Sequence, residues 1–107
     1  MFSIIIPTFN NLNYLKLCLK SIKKNSKYKH EIIAHVNIGK DGTIAYLKRN
    51  NIQFTYTSYN AGIPEGVNKA AKIAKTKFIV YAHDDFYFLP GWDKAFLDEI
   101  KLMPDNL

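Results

Sequence analysis

The sequence predicts an α/β fold in which a parallel sheet of about four strands carries helices on both of its faces. Short β-branched or aromatic runs alternate with amphipathic segments along the whole chain, and the connections between them are short. Parallel strands need crossover connections, which helices usually provide, so this alternation favours a parallel sheet. The 107 residues, 48% of them hydrophobic, suffice for one compact domain and leave no room for a second.

The chain opens with a strand pattern followed by a helical pattern. Residues 2–6 are mostly apolar and β-branched and are followed by a proline, which is typical of a short buried strand. Leucine and isoleucine then recur at three- and four-residue steps from Leu12 to Ile22, with lysines between them. This spacing predicts an amphipathic helix whose lysines face solvent and whose first N–H groups are capped by Asn10 or Asn11.

The middle of the chain contains two further strand patterns with a helix between them. Residues 31–37 predict the second strand, and the glycine-containing turn 39–42 separates it from a short helix over residues 43–50. That helix ends in cationic side chains, which suit the negative end of the helix dipole. Residues 52–57 are β-branched and aromatic and predict the third strand.

The last part predicts a helix, a strand and a final helix. The third helix begins at Pro64, where a missing N–H costs no hydrogen bond, and its small-residue face runs from Val67 to Ala74. Residues 77–82 predict the fourth strand. After an aromatic stretch and a Pro-Gly turn, residues 92–102 predict the fourth helix.

A polar loop follows each of the four predicted strands. The carboxyl ends of parallel strands meet at one edge of a sheet, and open α/β sheets bind ligands at that edge. The loops comprise residues 7–10, 37–41, 60–62 and 83–85. We therefore expect a binding site built from these four loops.

Two adjacent carboxylates, Asp84 and Asp85, follow the fourth predicted strand. Like charges held together at the end of a buried strand are costly unless a cation relieves them. Their oxygen atoms suit Mg²⁺ or Mn²⁺, ions that commonly bridge one or two carboxylates to substrate phosphates. An exposed Asp-Asp turn without a metal is the alternative. His83 is open to three interpretations: a third ligand, a donor to phosphate, or a loop residue without a function.

Several enzyme classes lack their essential residues in this chain. The sequence has no GxxxxGK[ST] phosphate loop and no GxGxxG fingerprint, which excludes P-loop nucleotidases and dinucleotide dehydrogenases of the usual kind. It also has no GxSxG elbow, and the single cysteine, Cys18, falls between leucines of the first predicted helix, where packing is the expected role.

Four segments in order resemble the nucleotide-sugar-binding N-terminal half of glycosyltransferase family 2, whose members have the Rossmann-like GT-A fold. The segments are residues 3–10, 36–43, 60–62 with 66–71, and 78–85 with 89–92. The resemblance therefore covers most of the chain. It implies one domain over residues 1–107 that is incomplete at its C-terminus, because the acceptor site and catalytic base of the family lie beyond the metal-binding loop.

The resemblance also implies roles for individual residues. Asn37 is expected to face the base, Asp84 to lie near the ribose, and Asp85 to ligate a divalent cation, Mn²⁺ or Mg²⁺. The residues expected to bind the nucleotide sugar are Pro7, Thr8, Phe9, Asn10, Asn37, Asp41, Gly62, Asn68 and Asp84. Thr8, Phe9 and Asn10 are expected to bind the nucleotide partly through their backbone.

The sequence departs from the family pattern at three places. Asn37 and Ile38 stand where the family has two acids, and an amide oxygen lacks the charge that strengthens a hydrogen bond from a base. The pattern therefore does not predict uridine as the base. Val67 replaces an arginine and His83 replaces the first acid of the Asp-x-Asp triplet, so phosphate contacts are expected to be fewer or to come from Lys40 or Lys69.

No residue is assigned as catalytic base. Asp93, Asp98 and Glu99 occur in the last predicted helix, and their spacing predicts a solvated helix face. The favoured function is a metal-dependent glycosyltransferase, or its donor-binding half, that transfers a sugar from a nucleoside diphosphate to a sugar, lipid or protein acceptor. A non-catalytic nucleotide-sugar-binding module is the alternative.

A nucleic-acid-binding domain is a weaker alternative that rests on charge alone. The chain carries a formal charge of +6, and residues 1–30 hold six lysines and no acid. Such a segment can attract nucleic acid, an anionic membrane or an acidic partner, but lysine runs are most often solvated helix faces. No nucleic-acid motif accompanies it.

The remaining expectations concern the surroundings of the protein. A lone cysteine without zinc-ligand spacing favours a reducing, cytoplasmic setting, and the opening apolar run is too short for a signal peptide or membrane span. A sheet with an uncovered edge and face is also expected to self-associate as a homo-oligomer.

Overall fold

The computed structural model describes residues 1–102, in which strands and helices alternate. The last five residues of the predicted domain, 103–107, lie outside the described residues. The strands are β1 (Phe2–Phe9), β2 (Glu31–Asn37), β3 (Gln53–Thr57) and β4 (Phe78–Tyr81). The helices are α1 (Leu12–Asn25), α2 (Thr43–Arg49), α3 (Gly62–Ala71) and α4 (Trp92–Lys101).

The strands form one sheet in the order β3-β2-β1-β4, and every pair of neighbours is parallel. The chain moves outward from β1 through β2 to β3, and then crosses back to place β4 on the other side of β1. The strand order therefore reverses between β1 and β4, which is the topological switch point where such sheets bind ligands. The predicted α/β class with a parallel sheet is confirmed.

Each face of the sheet has a hydrophobic core. The larger core lies under α1 and α2 and contains Ile4, Ile6, Leu15, Cys18, Leu19, Ile22, Ala34, Val36, Leu47 and Ala82. The smaller core lies under α3 and contains Ile5, Ile33 and Ala70, with Val67, Ala71 and Ala74 packed against it. The small-residue face predicted for the third helix therefore does lie on the sheet, and helices cover both faces as expected.

The first strand continues past Pro7, which was expected to end it. β1 pairs with β2 along its whole second half, and Pro7 lies opposite His35. On the side of β1 that faces β4, the Ala82 N–H donates a hydrogen bond to the Ile5 carbonyl. The next hydrogen bond between these two parallel strands needs the N–H of residue 7. Proline lacks that donor. Pro7 thus ends the pairing with β4 while the pairing with β2 continues.

The N-terminus of α1 is capped from a distant loop. Asn11 occupies the N-cap position, but it makes no side-chain capping bond. The carboxylate of Asp41 accepts a hydrogen bond from the Leu12 N–H instead, at 2.9 Å. The expectation that Asn10 or Asn11 caps this helix is therefore wrong, because a charged acceptor from the loop after β2 occupies the position.

The other boundaries differ by a few residues from those predicted. α3 begins at Gly62 and places Pro64 at its third position, which is still in the first turn where N–H groups have no partner within the helix. α1 runs on to Asn25, and β4 is one residue shorter at each end than predicted.

Asp93 is buried, which contradicts the prediction that it belongs to a solvated helix face. Its carboxylate accepts hydrogen bonds from the Lys27 and Tyr28 N–H groups at 3.0 and 2.7 Å and contacts His30 Nε2 at 2.8 Å. His30 Nδ1 in turn accepts the Phe2 N–H at 3.0 Å. Asp93 therefore ties α4 to the segment before β2 and to the start of β1. Asp98 does lie exposed, as expected, and pairs with Lys94.

Gly66 allows α3 to lie directly on the His35 ring. A Cβ added at this glycine would lie 2.7 Å from His35 Cδ2, and that ring is held by Thr55 and Thr57 through hydrogen bonds of 2.7 and 3.1 Å. Because the ring cannot move without losing these bonds, Gly66→Ala is expected to lower the free energy of unfolding by about 2 kcal/mol. Urea denaturation of the variant measures this loss.

The His35→Ala background serves as the control for that substitution. Without the ring, the added methyl group has space, so Gly66→Ala should cost much less in this background than in the native chain. An equal cost in both backgrounds would show that helix propensity or backbone strain, and not the ring, excludes alanine from this position.

The lysines of α1 point outward, as predicted. Lys20, Lys23 and Lys24 are exposed, and Lys16 is half-buried. Within residues 1–102, no helix is both long enough and apolar enough to cross a membrane.

Candidate functional site

The switch point between β1 and β4 brings two predicted site residues into contact. Thr8 is the penultimate residue of β1, and its hydroxyl donates to Asp84 Oδ2 at 2.9 Å. Thr8 is only 3% exposed, while Asp84 is half-buried. The hydrogen bond fixes one carboxylate oxygen, and no hydrogen bond among residues 1–102 holds the other.

The loops after β1 and β2 are joined by hydrogen bonds across the rim. Asn10 has φ 45° and accepts the Lys40 N–H on Oδ1 at 3.0 Å. The Asp41 carboxylate accepts the N–H groups of Leu12 and Thr43 at 2.9 and 3.3 Å, and also the Thr43 hydroxyl. Burial opposes ionisation of Asp41, but these bonds outweigh it and lower its pKa. Asp41 thus organises both loops as a carboxylate.

Asn37 joins the ends of β2 and β3. Its side chain is 4% exposed, and Oδ1 accepts the Ala61 N–H at 2.9 Å and the Thr57 hydroxyl at 3.2 Å. Thr57 also contacts His35, which is fully buried. Burial lowers the pKa of His35 and so favours its neutral ring. Asn37 is therefore held by a buried polar network that also supports the loop before α3.

Sequence reasoning missed three members of this network: His35, Thr55 and Thr57. A signal for them was present, since polar residues recur at two-residue steps in both strands, as His35 and Asn37 and as Thr55 and Thr57. This spacing places them on one face of the sheet. The register then pairs His35 with Thr55 and Asn37 with Thr57.

The other predicted site residues differ in exposure and position. Phe9 is 47% exposed and Pro7 is half-buried, both near the end of β1. Gly62 is the first residue of α3, has φ 78°, and donates its N–H to Asn60 Oδ1 at 3.2 Å. Asn68 is exposed on the second turn of α3, and no hydrogen bond in residues 1–102 links it to the other predicted residues.

Asp85 lies next to the Thr8 and Asp84 pair but remains exposed. In the part of the chain that the structure describes, it has no hydrogen bond or ion pair, and no three His, Cys, Asp or Glu side chains cluster as a metal cage. The residues present therefore fit an ion that takes one or two carboxylate oxygens from the protein and its other ligands from phosphate and water, as Mg²⁺ and Mn²⁺ commonly do.

His83 and Cys18 flank the two carboxylates. The His83 ring lies between Tyr81 and Phe86, with both centroid distances at 5.0 Å. Cys18 is buried below the loop, 3.8 Å from the His83 carbonyl oxygen. Burial, together with the charges of Asp84 and Asp85, raises the pKa of the Cys18 thiol to about 12. Cys18 therefore packs as an uncharged thiol, as expected.

Comparison with known families gives one match over nearly the whole chain. The family described as "Glycosyl transferase family 2" matches residues 3–106. No curated protein sequence matches the chain.

Solved structures with the same fold include two of S. aureus TarS residues 1–349. One is 28% identical with a TM-score of 0.78, covering 92% of this chain and 32% of that one. The other, in complex with UDP, is 29% identical with a TM-score of 0.77 and the same coverage. This chain thus spans about a third of the length of those structures.

A third structure supports the fold alone. The mannosyltransferase PcManGT from Pyrobaculum calidifontis, solved with GDP-Man and Mn²⁺, has a TM-score of 0.73 at 19% identity and covers 88% of this chain and 30% of that one. The structures that resemble this chain are thus glycosyltransferases of the GT-A fold.

Proposed function

This chain belongs to glycosyltransferase family 2, and from that premise we propose that it is the nucleotide-sugar-binding part of a metal-dependent glycosyltransferase. The observation that carries the proposal is the Thr8 to Asp84 hydrogen bond at the switch point, with Asp85 exposed beside it. A buried threonine that orients one carboxylate, next to a second carboxylate without a partner among the described residues, suits a site for a diphosphate and its cation.

The proposed chemistry is transfer of a sugar from a nucleoside diphosphate to an acceptor. A divalent cation on the diphosphate oxygens supplies positive charge where negative charge develops as the bond to the sugar breaks. In this proposal Asp85 holds the cation, and Asp84 is positioned by Thr8 to meet the ribose. Gly62 and Asn68 are assigned to the diphosphate, and Lys40 or Lys69 supplies further positive charge.

The proposed base-binding residues surround the ends of β1 and β2. Pro7, Phe9 and Asn10, at the end of β1, are assigned to the nucleotide, and Asn37 is assigned to the base. Because Asn37 Oδ1 is already engaged by Ala61, its amide hydrogens are the groups left to meet a base. They favour a base that presents an acceptor at this position, whereas recognition of the uracil N3–H needs an acceptor from the protein.

A non-catalytic nucleotide-sugar-binding module remains the second candidate because of the acids in α4. Asp93 is buried and fully engaged, and Asp98 is paired with Lys94 on the surface at 2.7 Å. Neither of these two side chains is available to deprotonate an acceptor. Glu99, the third acid, is exposed, as predicted, on a helix that begins beside Phe2 at the amino end of β1, away from the candidate site. A catalytic base supplied from outside residues 1–102 would distinguish the enzyme from the module.

Calorimetric titration of the chain with UDP, GDP, CDP and dTDP, each with and without Mn²⁺, tests the donor site. We expect one nucleotide to bind with an affinity that requires Mn²⁺ or Mg²⁺ and that is lost on chelation. If a demonstrably folded protein binds none of the four, the proposal is wrong. An assay with the corresponding nucleotide sugar then distinguishes the enzyme from the non-catalytic module. The enzyme releases the sugar or transfers it to an acceptor, and the module does neither.

A further inference from the structure

A cationic groove lies at the opposite end of the strands from the candidate site. It has a volume of about 850 Å³ and is bounded by the second half of α1, the segment before β2 and the end of α2. Its floor is aliphatic and its rim is cationic. The floor residues are Leu19, Ile22, Ile32 and Ile52, and the rim lysines are Lys20, Lys23, Lys27 and Lys29.

Among residues 1–102, no acidic side chain lines this groove. The neighbouring acids are already engaged: Asp93 is buried and holds backbone N–H groups, and Asp98 is paired with Lys94 at 2.7 Å. Glu31 accepts hydrogen bonds from Ser3 and from the Lys75 N–H. Among the described residues, no rim lysine forms an ion pair with any of these carboxylates, so the lysine head groups are available to an anionic ligand.

The exposed side of α1 continues the groove as an amphipathic surface. Lys16, Lys20 and Lys23 recur at four- and three-residue steps and so form one stripe along the helix. Leu17, three residues before Lys20 and so its neighbour on the helix surface, is 53% exposed, whereas the exposed Tyr14 points away from the stripe. Lysines next to exposed apolar side chains on one helix are characteristic of binding to the interface of an anionic membrane.

We propose that this surface, formed by α1 and the cationic groove, binds the headgroup region of an anionic phospholipid bilayer. The aliphatic floor and the exposed Leu17 favour lipid over single-stranded nucleic acid, which needs open aromatic faces for stacking. The two tyrosine rings that line the groove each have a lysine over them, with Lys16 5.2 Å from the Tyr46 ring centre and Lys27 5.6 Å from that of Tyr28. This inference does not rest on glycosyl transfer.

Membrane binding through this surface leaves the candidate donor site accessible. α1 connects the carboxyl end of β1 to the amino end of β2, so it runs from the rim of the site to the groove. A bilayer lying along α1 would therefore face the helix-covered face of the sheet and not the edge formed by the carboxyl ends of the strands. The donor site would open along the membrane surface, within reach of a membrane-attached acceptor.

Sedimentation with lipid vesicles tests the proposal. We expect the chain to bind vesicles of phosphatidylcholine mixed with phosphatidylglycerol and not vesicles of phosphatidylcholine alone. Neutralising two rim lysines in the variant Lys20→Gln/Lys23→Gln should weaken binding to the mixed vesicles on the order of 30-fold. Binding should also weaken as salt is raised.

The matched control removes the same charge from the segment between α3 and β4, which does not line the groove. Lys72→Gln/Lys77→Gln should leave vesicle binding nearly unchanged. If both double variants weaken binding equally, net charge alone explains the effect and the proposal is wrong. Absence of binding to mixed vesicles by the folded native chain would also overturn it. So would tighter binding to a single-stranded oligonucleotide than to mixed vesicles, lost in Lys20→Gln/Lys23→Gln.

Discussion

Asp93→Ala is expected to lower the free energy of unfolding by about 4 kcal/mol, because the substitution leaves several buried donors without an acceptor. The carboxylate is fully buried and receives the Lys27 and Tyr28 N–H groups and the His30 ring. Such a loss is a large part of the stability of a small domain. Urea denaturation followed by circular dichroism measures it.

Asp98→Ala is the matched control on the same helix. In the described part of the chain Asp98 pairs with Lys94 alone, and the two side chains are about half exposed, at 54% and 53%. Exposed pairs of this kind contribute little, so the control should unfold almost as the native chain does. If Asp93→Ala proves too unstable to purify, Asp93→Asn retains one acceptor oxygen and should show an intermediate loss. Equal stability of the Asp93 and Asp98 variants would contradict the proposed role of the buried cluster.

The same carboxylate predicts an acid-dependent loss of stability. Burial opposes ionisation of Asp93, but the hydrogen bonds from Lys27, Tyr28 and His30 outweigh it and lower its pKa to about 2. A carboxyl group with a lowered pKa stabilises the folded state fully above its unfolded value of about 3.9, and this contribution is lost as the pH falls towards the folded value. The difference in melting temperature between the native chain and Asp93→Asn should therefore shrink below about pH 4.

The sequence predicted the sheet well because local patterns and topology agree there. Residues 31–37 form a strand with the expected bounds, because both their β-branched composition and their place between two helices predict a strand. The prediction that Pro7 ends the first strand was wrong because proline removes only one hydrogen-bond donor, on one side of a strand. β1 is a central strand, and only its pairing with β4 needs the donor that proline lacks.

The predictions were wrong where the hydrogen-bond partner of a residue comes from a distant part of the sequence. The cap of α1 comes from Asp41, 29 positions away along the chain, and the donors to Asp93 come from the loop before β2. Helical spacing alone could not distinguish buried Asp93 from exposed Asp98, because the difference arises from packing against another element. For the candidate site, topology predicted which loops meet, but not that Asn37 Oδ1 is engaged by Ala61.

Asp84 and Asp85 are adjacent in sequence but should respond differently to replacement. Asp85→Asn is expected to weaken the cation-dependent component of nucleotide binding by at least about 100-fold, because an amide oxygen carries no charge for the cation. Its effect on folding should be within about 0.5 kcal/mol, as is usual for exposed side chains. Titration of the nucleotide with Mn²⁺, with a thermal melt of the same sample, measures both quantities.

Asp84→Ala should instead affect stability as well as binding. It removes the acceptor of the Thr8 hydroxyl, which is 3% exposed, and an unpaired buried hydroxyl costs about 1 kcal/mol or more. Thr8→Val removes the same hydrogen bond and leaves no buried hydroxyl unpaired. The freed oxygen belongs to the half-buried Asp84 carboxylate, which water can reach, so the loss of stability should be smaller. If Thr8→Val weakens nucleotide binding while leaving the melt nearly unchanged, the threonine positions Asp84 for the ligand. If binding is unaffected, the hydrogen bond serves the fold alone, and the donor site must be assigned to Asp85 without its neighbour.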